Sequence, residues 1–95
     1  MIKVVAQFFF RNGEVEKALA LARELVLETR KESGCIRYEL CQNQKKDTHV
    51  ALLEEWESQT ALDAHFRTPH FVHLVPKLQA LTEQEIVITT FNKVV

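Results

Sequence analysis

Residues 2–10 are almost wholly apolar. In an extended chain Ile2, Val4, Ala6, Phe8 and Phe10 share one face, and Val5, Gln7 and Phe9 share the other. A strand apolar on both faces is buried on both. Asn12-Gly13 punctuates the chain, and the period then changes. Over 14–32, Val15, Ala18, Leu19, Ala22, Leu25, Val26 and Thr29 recur at intervals of three and four, which predicts a helix. Glu14 and Glu16 near its start, and Arg30 and Lys31 near its end, match the helix dipole. Ser33-Gly34 is a suitable stop. Leu21 and Leu27 fall off the main stripe and require a second neighbour.

Period two returns at 35–42, with Ile36, Tyr38 and Leu40 opposite Arg37 and Glu39. The polar run from Asn43 to Asp47 is a hairpin loop. The next strand, 48–56, puts Val50, Leu52, Glu54 and Trp56 on one face and Ala51, Leu53 and Glu55 on the other. Ser58 caps a short helix over 59–66 that carries Leu62 and Phe66 inward. Thr68-Pro69 starts another, with proline at a favoured first position. Phe71, Leu74, Val75, Leu78 and Leu81 repeat helically to about residue 81, and Pro76 inside that repeat predicts a kink or a break. Residues 85–92 form the last strand, Ile86, Ile88 and Thr90 opposite Val87, Thr89 and Phe91.

The order β-α-β-β-α-β predicts an α+β, ferredoxin-like fold: an antiparallel sheet with its helices on one face. The other face of such a sheet should be polar. Here Val5, Phe9, Leu53, Val87 and Phe91 keep it apolar. An apolar patch of that extent is out of place on a monomer. A homodimer joined through its sheets is therefore expected.

With 95 residues the chain is expected to be one domain over 1–95, burying about 65% of its unfolded surface. Two glycines and two prolines exclude disordered and linker-rich architectures. No apolar run approaches the ~18 residues that cross a bilayer. The first residues lack the plan of a signal peptide, so a cytoplasmic protein without a membrane partner is expected. Twelve basic and thirteen acidic residues are interspersed, which leaves no nucleic-acid footprint. On one strand Cys35 and Cys41 lie about 20 Å apart at ~3.3 Å per residue, too far to bridge. They read as reduced thiols.

The candidate chemistry is sparse. Of the four histidines, His70 and His73 are three apart on one helix, but no Cys or Asp is placed to complete a zinc site, so no metal is expected. His65, just before the Pro69 break, has an unperturbed pKa suited to proton transfer near neutral pH. Trp56 offers a flat pocket wall, and Tyr38 on the neighbouring strand lines the same space. Glu54 shares the face of Trp56 and points toward the helices. A buried carboxylate needs a partner or a raised pKa, which sets Glu54 ahead of Glu55. No dinucleotide fingerprint, P-loop or nucleophile elbow occurs.

The segment Glu32-Ser33-Gly34-Cys35-Ile36-Arg37-Tyr38-Glu39-Leu40 resembles a second-strand signature of the antibiotic biosynthesis monooxygenase family. Glu54-Glu55-Trp56-Glu57-Ser58, Ala61-Leu62-Asp63-Ala64-His65-Phe66 and Thr68-Pro69-His70-Phe71 resemble its third-strand and second-helix signature. The resemblance implies a dimeric α+β barrel with a pocket between sheet and helices. The better-known enzymes of that family oxidise quinol-type or polycyclic aromatics with dioxygen, without metal, flavin or haem. The same resemblance implies a small aromatic substrate, no cofactor, and His65, Trp56 and His70 as the catalytic positions, His65 being the base. Phe66, Phe71 and Leu74 form the apolar lining, joined by Tyr38 and Glu54 on the sheet.

Two relatives of the fold compete. The haem-degrading branch expects asparagine, tryptophan and a ligating histidine where this chain has Gln7, His65 and Val75. An isomerase of a phosphorylated dione in autoinducer processing shares the Thr-Pro-His segment. It needs basic pocket residues, for which Arg23, Arg37 and Arg67 are the candidates. A non-catalytic domain that binds a hydrophobic ligand is the third alternative.

Overall fold

The computed structural model describes residues 1–95. The elements run β1 (Ile2–Phe9), α1 (Val15–Thr29), β2 (Cys35–Gln42), β3 (His49–Trp56), α2 (Gln59–His65), α3 (Pro69–Gln79) and β4 (Val87–Asn92). The strands pair antiparallel in the order β2-β3-β1-β4. This is the expected ferredoxin-like α+β arrangement.

Side-chain alternation selects the buried face. Val4, Ala6 and Phe8 of β1 and Val50, Leu52 and Trp56 of β3 are at most 4% exposed. They form one core with Ala18, Ala22 and Leu25 of α1, Leu62 of α2, and Leu74 and Leu78 of α3. The alternate residues Val5, Phe9 and Leu53 lie on the uncovered face, where Val5 pairs with Leu53 and Phe9 with His49.

Four details depart from the periodic reading. The first helix ends at Thr29, not residue 32, and Glu32 closes a turn by bonding its N–H to the Thr29 carbonyl at 2.9 Å. Of the two off-stripe leucines, Leu21 packs against the core while Leu27 remains exposed. The third helix passes through Pro76 unbroken and stops at Gln79. Proline there removes the N–H that would reach the Val72 carbonyl, and Val72 is an exposed residue where water can replace it. In β2 the register slips between Cys35 and Arg37, so that Cys35 faces Trp56 and Tyr38 faces Glu54. The extra residue, Ile36, is pushed out and half exposed, separated from the buried Tyr38.

Local chemistry sets the corner between α2 and α3. The Ser58 hydroxyl accepts from the Ala61 N–H and the Thr68 hydroxyl from the Phe71 N–H, with Pro69 opening α3. The Thr68 hydroxyl also donates to the His65 carbonyl at 2.8 Å, tying the end of α2 to the start of α3. Opposite this corner stands Gly34, at φ +87°. A Cβ there would come within 2.6 Å of the Ala61 Cβ, so glycine is what lets the loop after α1 lie against α2.

Candidate functional site

That close approach brings an ionisable cluster together. His65, the last residue of α2, is 1% exposed. Its ring lies 4.6 Å from Trp56, 5.4 Å from Tyr38 and 5.0 Å from Phe71, centroid to centroid. Its Nδ1 is 2.7 Å from Glu32 Oε2, and the same oxygen is 2.7 Å from His70 Nε2. Glu32 is thus the shared acceptor of two imidazoles that come from different helices. Burial pushes the His65 pKa down, against the hydrogen bond and charge of Glu32, which favour the charged ring.

The second carboxylate of the region is Glu54, 6% exposed on β3. The Trp56 indole donates to its Oε1 at 2.8 Å. Burial raises its pKa to about 7, a rise that the Trp56 bond opposes and the nearby Glu32 charge assists. Tyr38, across the strand pair, is held protonated by the same burial. The Thr29 hydroxyl below it is buried without a good hydrogen-bond partner, though it lies near enough to favour Tyr38 ionisation slightly. Burial, with the Glu32 charge, also pushes the Cys35 thiol up to about 11, so this is an unreactive filler.

Glu54 lines a cavity of about 20 Å³ between the sheet and the helices. Phe8, Tyr38, Phe66, Phe71, Val75 and Ile88 are among its walls, and Glu54 is its one charged residue. The sequence-selected residues divide in two. Tyr38, Glu54, Phe66 and Phe71 line this cavity. Trp56, His65 and His70 stand beside it, in the aromatic and ionic cluster, and Leu74 is buried in the core. Larger depressions exist on the surface: a groove of about 380 Å³ lined by Arg23, Leu27 and Arg30 holds neither carboxylate nor imidazole, and another of about 460 Å³ is lined by Lys3, Arg37, Glu39, Glu54 and Glu55.

Glu32 was not among the sequence-selected residues. Its signal was electrostatic. A carboxylate just beyond a helix C-terminus opposes the dipole and needs another partner, here two histidines that are 33 and 38 residues away.

Known proteins resemble this chain in sequence and in fold. A curated, uncharacterized protein of Synechocystis sp. is 36% identical over 76 residues, which are 80% of this chain. They are 52% of that protein, so the chain spans about half the length of this relative. The Mycobacterium tuberculosis protein Rv0793, provisionally named a monooxygenase, is 27% identical over 88 residues, covering 93% of this chain and 86% of its own. A crystal structure described as antibiotic biosynthesis monooxygenase superposes with a TM-score of 0.95 at 39% identity, covering 99% of both chains. Together these likenesses support a monooxygenase-like function in general terms. The family model for antibiotic biosynthesis monooxygenase matches residues 1–77, and the chain belongs to that family.

Proposed function

We propose that the chain oxidises a quinol or another aromatic or polycyclic small molecule with dioxygen, using no metal or organic cofactor. The observation that carries this reading is Glu54, a carboxyl poised at about 7 on the wall of an otherwise apolar cavity. A base with that pKa takes the proton of a phenolic O–H near neutral pH. The anion left behind is electron-rich and reduces dioxygen itself, so the protein supplies the base and the dry cavity. The balance closes without a further reductant: a quinol and dioxygen give a hydroxyquinone and water.

Trp56 is the positioning residue, since its indole N–H fixes the Glu54 carboxyl. His65, neutral at pH 7 and packed against Trp56, is the second acceptor, with His70 and Glu32 holding it behind. A cavity of 20 Å³ holds one water, whereas a benzene-sized ligand fills roughly 150 Å³. Substrate therefore enters by displacing Phe66 and Phe71 and parting them from Ile88, which is 44% exposed at the sheet edge. The chain acts as a homodimer in the cytoplasm, each copy covering the other's apolar sheet face.

Oxygen uptake on a panel of quinols and anthrones tests the reading. Glu54→Gln keeps the Trp56 bond and removes the base, and turnover is expected to fall on the order of 10²-fold or more. Full turnover by that variant moves the base to His65, to be checked with His65→Gln. No turnover of the panel by the wild-type chain overturns the oxygenase reading. An isomerase of a phosphorylated dione is not favoured, because no arginine or lysine lines the cavity.

A further inference from the structure

Three donor atoms outside the cavity converge from three separate segments. Glu32 Oε2, His65 Nδ1 and His70 Nε2 all lie within 4.8 Å of one another. We propose that Glu32, His65 and His70 bind a divalent cation of the zinc class, which clips the turn after α1 to the α2–α3 corner. This goes beyond the oxygenation proposed for the cavity: none of the three residues lines it, and a bound cation takes His65 out of use as a proton acceptor while leaving Glu54 as the base.

Two imidazoles and a carboxylate are the donor set of three-ligand zinc sites, with a fourth position left for water. The mixed nitrogen and oxygen set favours zinc, cobalt or nickel over magnesium or calcium, which prefer oxygen alone. At zinc bond lengths of about 2.0–2.1 Å, tetrahedral ligands stand roughly 3.3 Å apart. The 2.7 Å N···O separations then open by about 0.6 Å, while the two imidazole nitrogens, at most 4.8 Å apart, close toward the same spacing as the rings turn about a shared ion. Coordination requires the ring proton of His65 on Nε2 and that of His70 on Nδ1, each facing away from the ion.

The surroundings suit a cation. Glu32 and His70 retain 12% and 18% side-chain exposure, which leaves a path from solvent, while His65 is the buried wall. Glu28 adds a further carboxylate near His70, held by Lys31 at 2.6 Å. The ligands are also held in place beforehand. Thr68 fixes the His65 carbonyl, Pro69 starts the helix that carries His70, and Gly34 lets the loop with Glu32 approach α2. Preorganisation of this kind by outer groups is what metal sites depend on.

The full chain, stripped with a chelator, is titrated with Co²⁺ and followed by visible d–d absorption. One equivalent per chain is expected to give the intense bands of a four-coordinate N/O site, displaced by Zn²⁺ and untouched by Mg²⁺. Glu32→Gln and His70→Ala are each expected to weaken binding by at least about 10²-fold. Zn²⁺ is expected to raise the thermal midpoint of the wild-type chain by several degrees and to leave both variants unmoved. Midpoints measured without metal show that the variants fold, and His70→Gln replaces either one that does not. Failure of the wild type to develop the bands, or equal binding by the variants, overturns the site. Because oxygen uptake is not the readout, its loss and the loss of this site are separable.

Discussion

The two faces of the sheet carry the same alternating apolar pattern and meet opposite fates. On one, Phe8 lies 3% exposed under the helices. On the other, the next residue, Phe9, is only partly buried and stacks on His49 at 4.5 Å. Phe91 beside them on β4 is 50% exposed, and Val87 is 43%. The covered face is satisfied within the chain except at the β4 edge, where Ile88 stays 44% exposed; the uncovered one is apolar to a degree that one chain does not satisfy. Alternation therefore reports how many faces want burial, and the helix count reports how many the chain covers itself. The difference is what the proposed second copy would supply.

Substituting the same charge on each face breaks the comparison most sharply. Phe8→Asp removes a core aromatic and buries an unpaired carboxylate, a loss of more than about 5 kcal/mol. That is comparable to the whole stability of many domains, and an unfolded circular dichroism spectrum is expected at any protein concentration. Phe9→Asp is expected to leave the chain folded and to halve its sedimentation mass to the 11.0 kDa of a single copy. A wild-type chain that already sediments at the single-copy mass would sink the sheet-to-sheet dimer. Phe91→Ala, a milder cut at the rim, should weaken association without abolishing it. On dilution its sedimentation mass is then expected to fall toward the 11.0 kDa of one copy at concentrations where the wild type stays associated.

Much of this was legible because it is local. The switch from period two to three-and-four marked every element though not every boundary, and Ser58, Thr68 and Pro69 marked two helix starts by side-chain chemistry that operates within three residues. Glu54 was legible as an inward carboxylate because it shares the face of Trp56. What escaped was non-local or compensated. Pro76 does not end α3, because the carbonyl it orphans lies at an exposed residue. Ile36 leaves the core because a one-residue slip against β3 turns it outward while Tyr38 keeps its buried place. The partnership of Glu32 with His65 and His70 depends on Gly34 accepting a contact that no spacing rule encodes.

The smallest expected effect sharpens the same contrast at another adjacent pair. Glu54 points to the covered face and its pKa is raised from 4.5 to about 7, chiefly by burial. Glu55 points to the uncovered face, where Lys3 and Arg37 engage it and hold its pKa below the ordinary value. The linkage signs are opposite. A raised pKa means that the folded state binds the proton more tightly than the unfolded chain. The contribution of Glu54 is then fully present below pH 4.5 and is lost as pH rises toward 7, by on the order of 3 kcal/mol. The lowered pKa of Glu55 gives a contribution present above the ordinary carboxylate range and lost as pH falls through it. His65, with its pKa lowered by burial, adds stability as pH rises through its unfolded value. That rise is common to the wild type and to carboxylate variants, so differences between them cancel it. Urea unfolding from pH 4 to 8 should show Glu54→Gln gaining on the wild type as pH rises, while Glu55→Gln loses ground over the acid part of the range. Parallel curves for wild type and Glu54→Gln would mean that Glu54 is solvated after all, and the case for it as a poised base would fall with the slope.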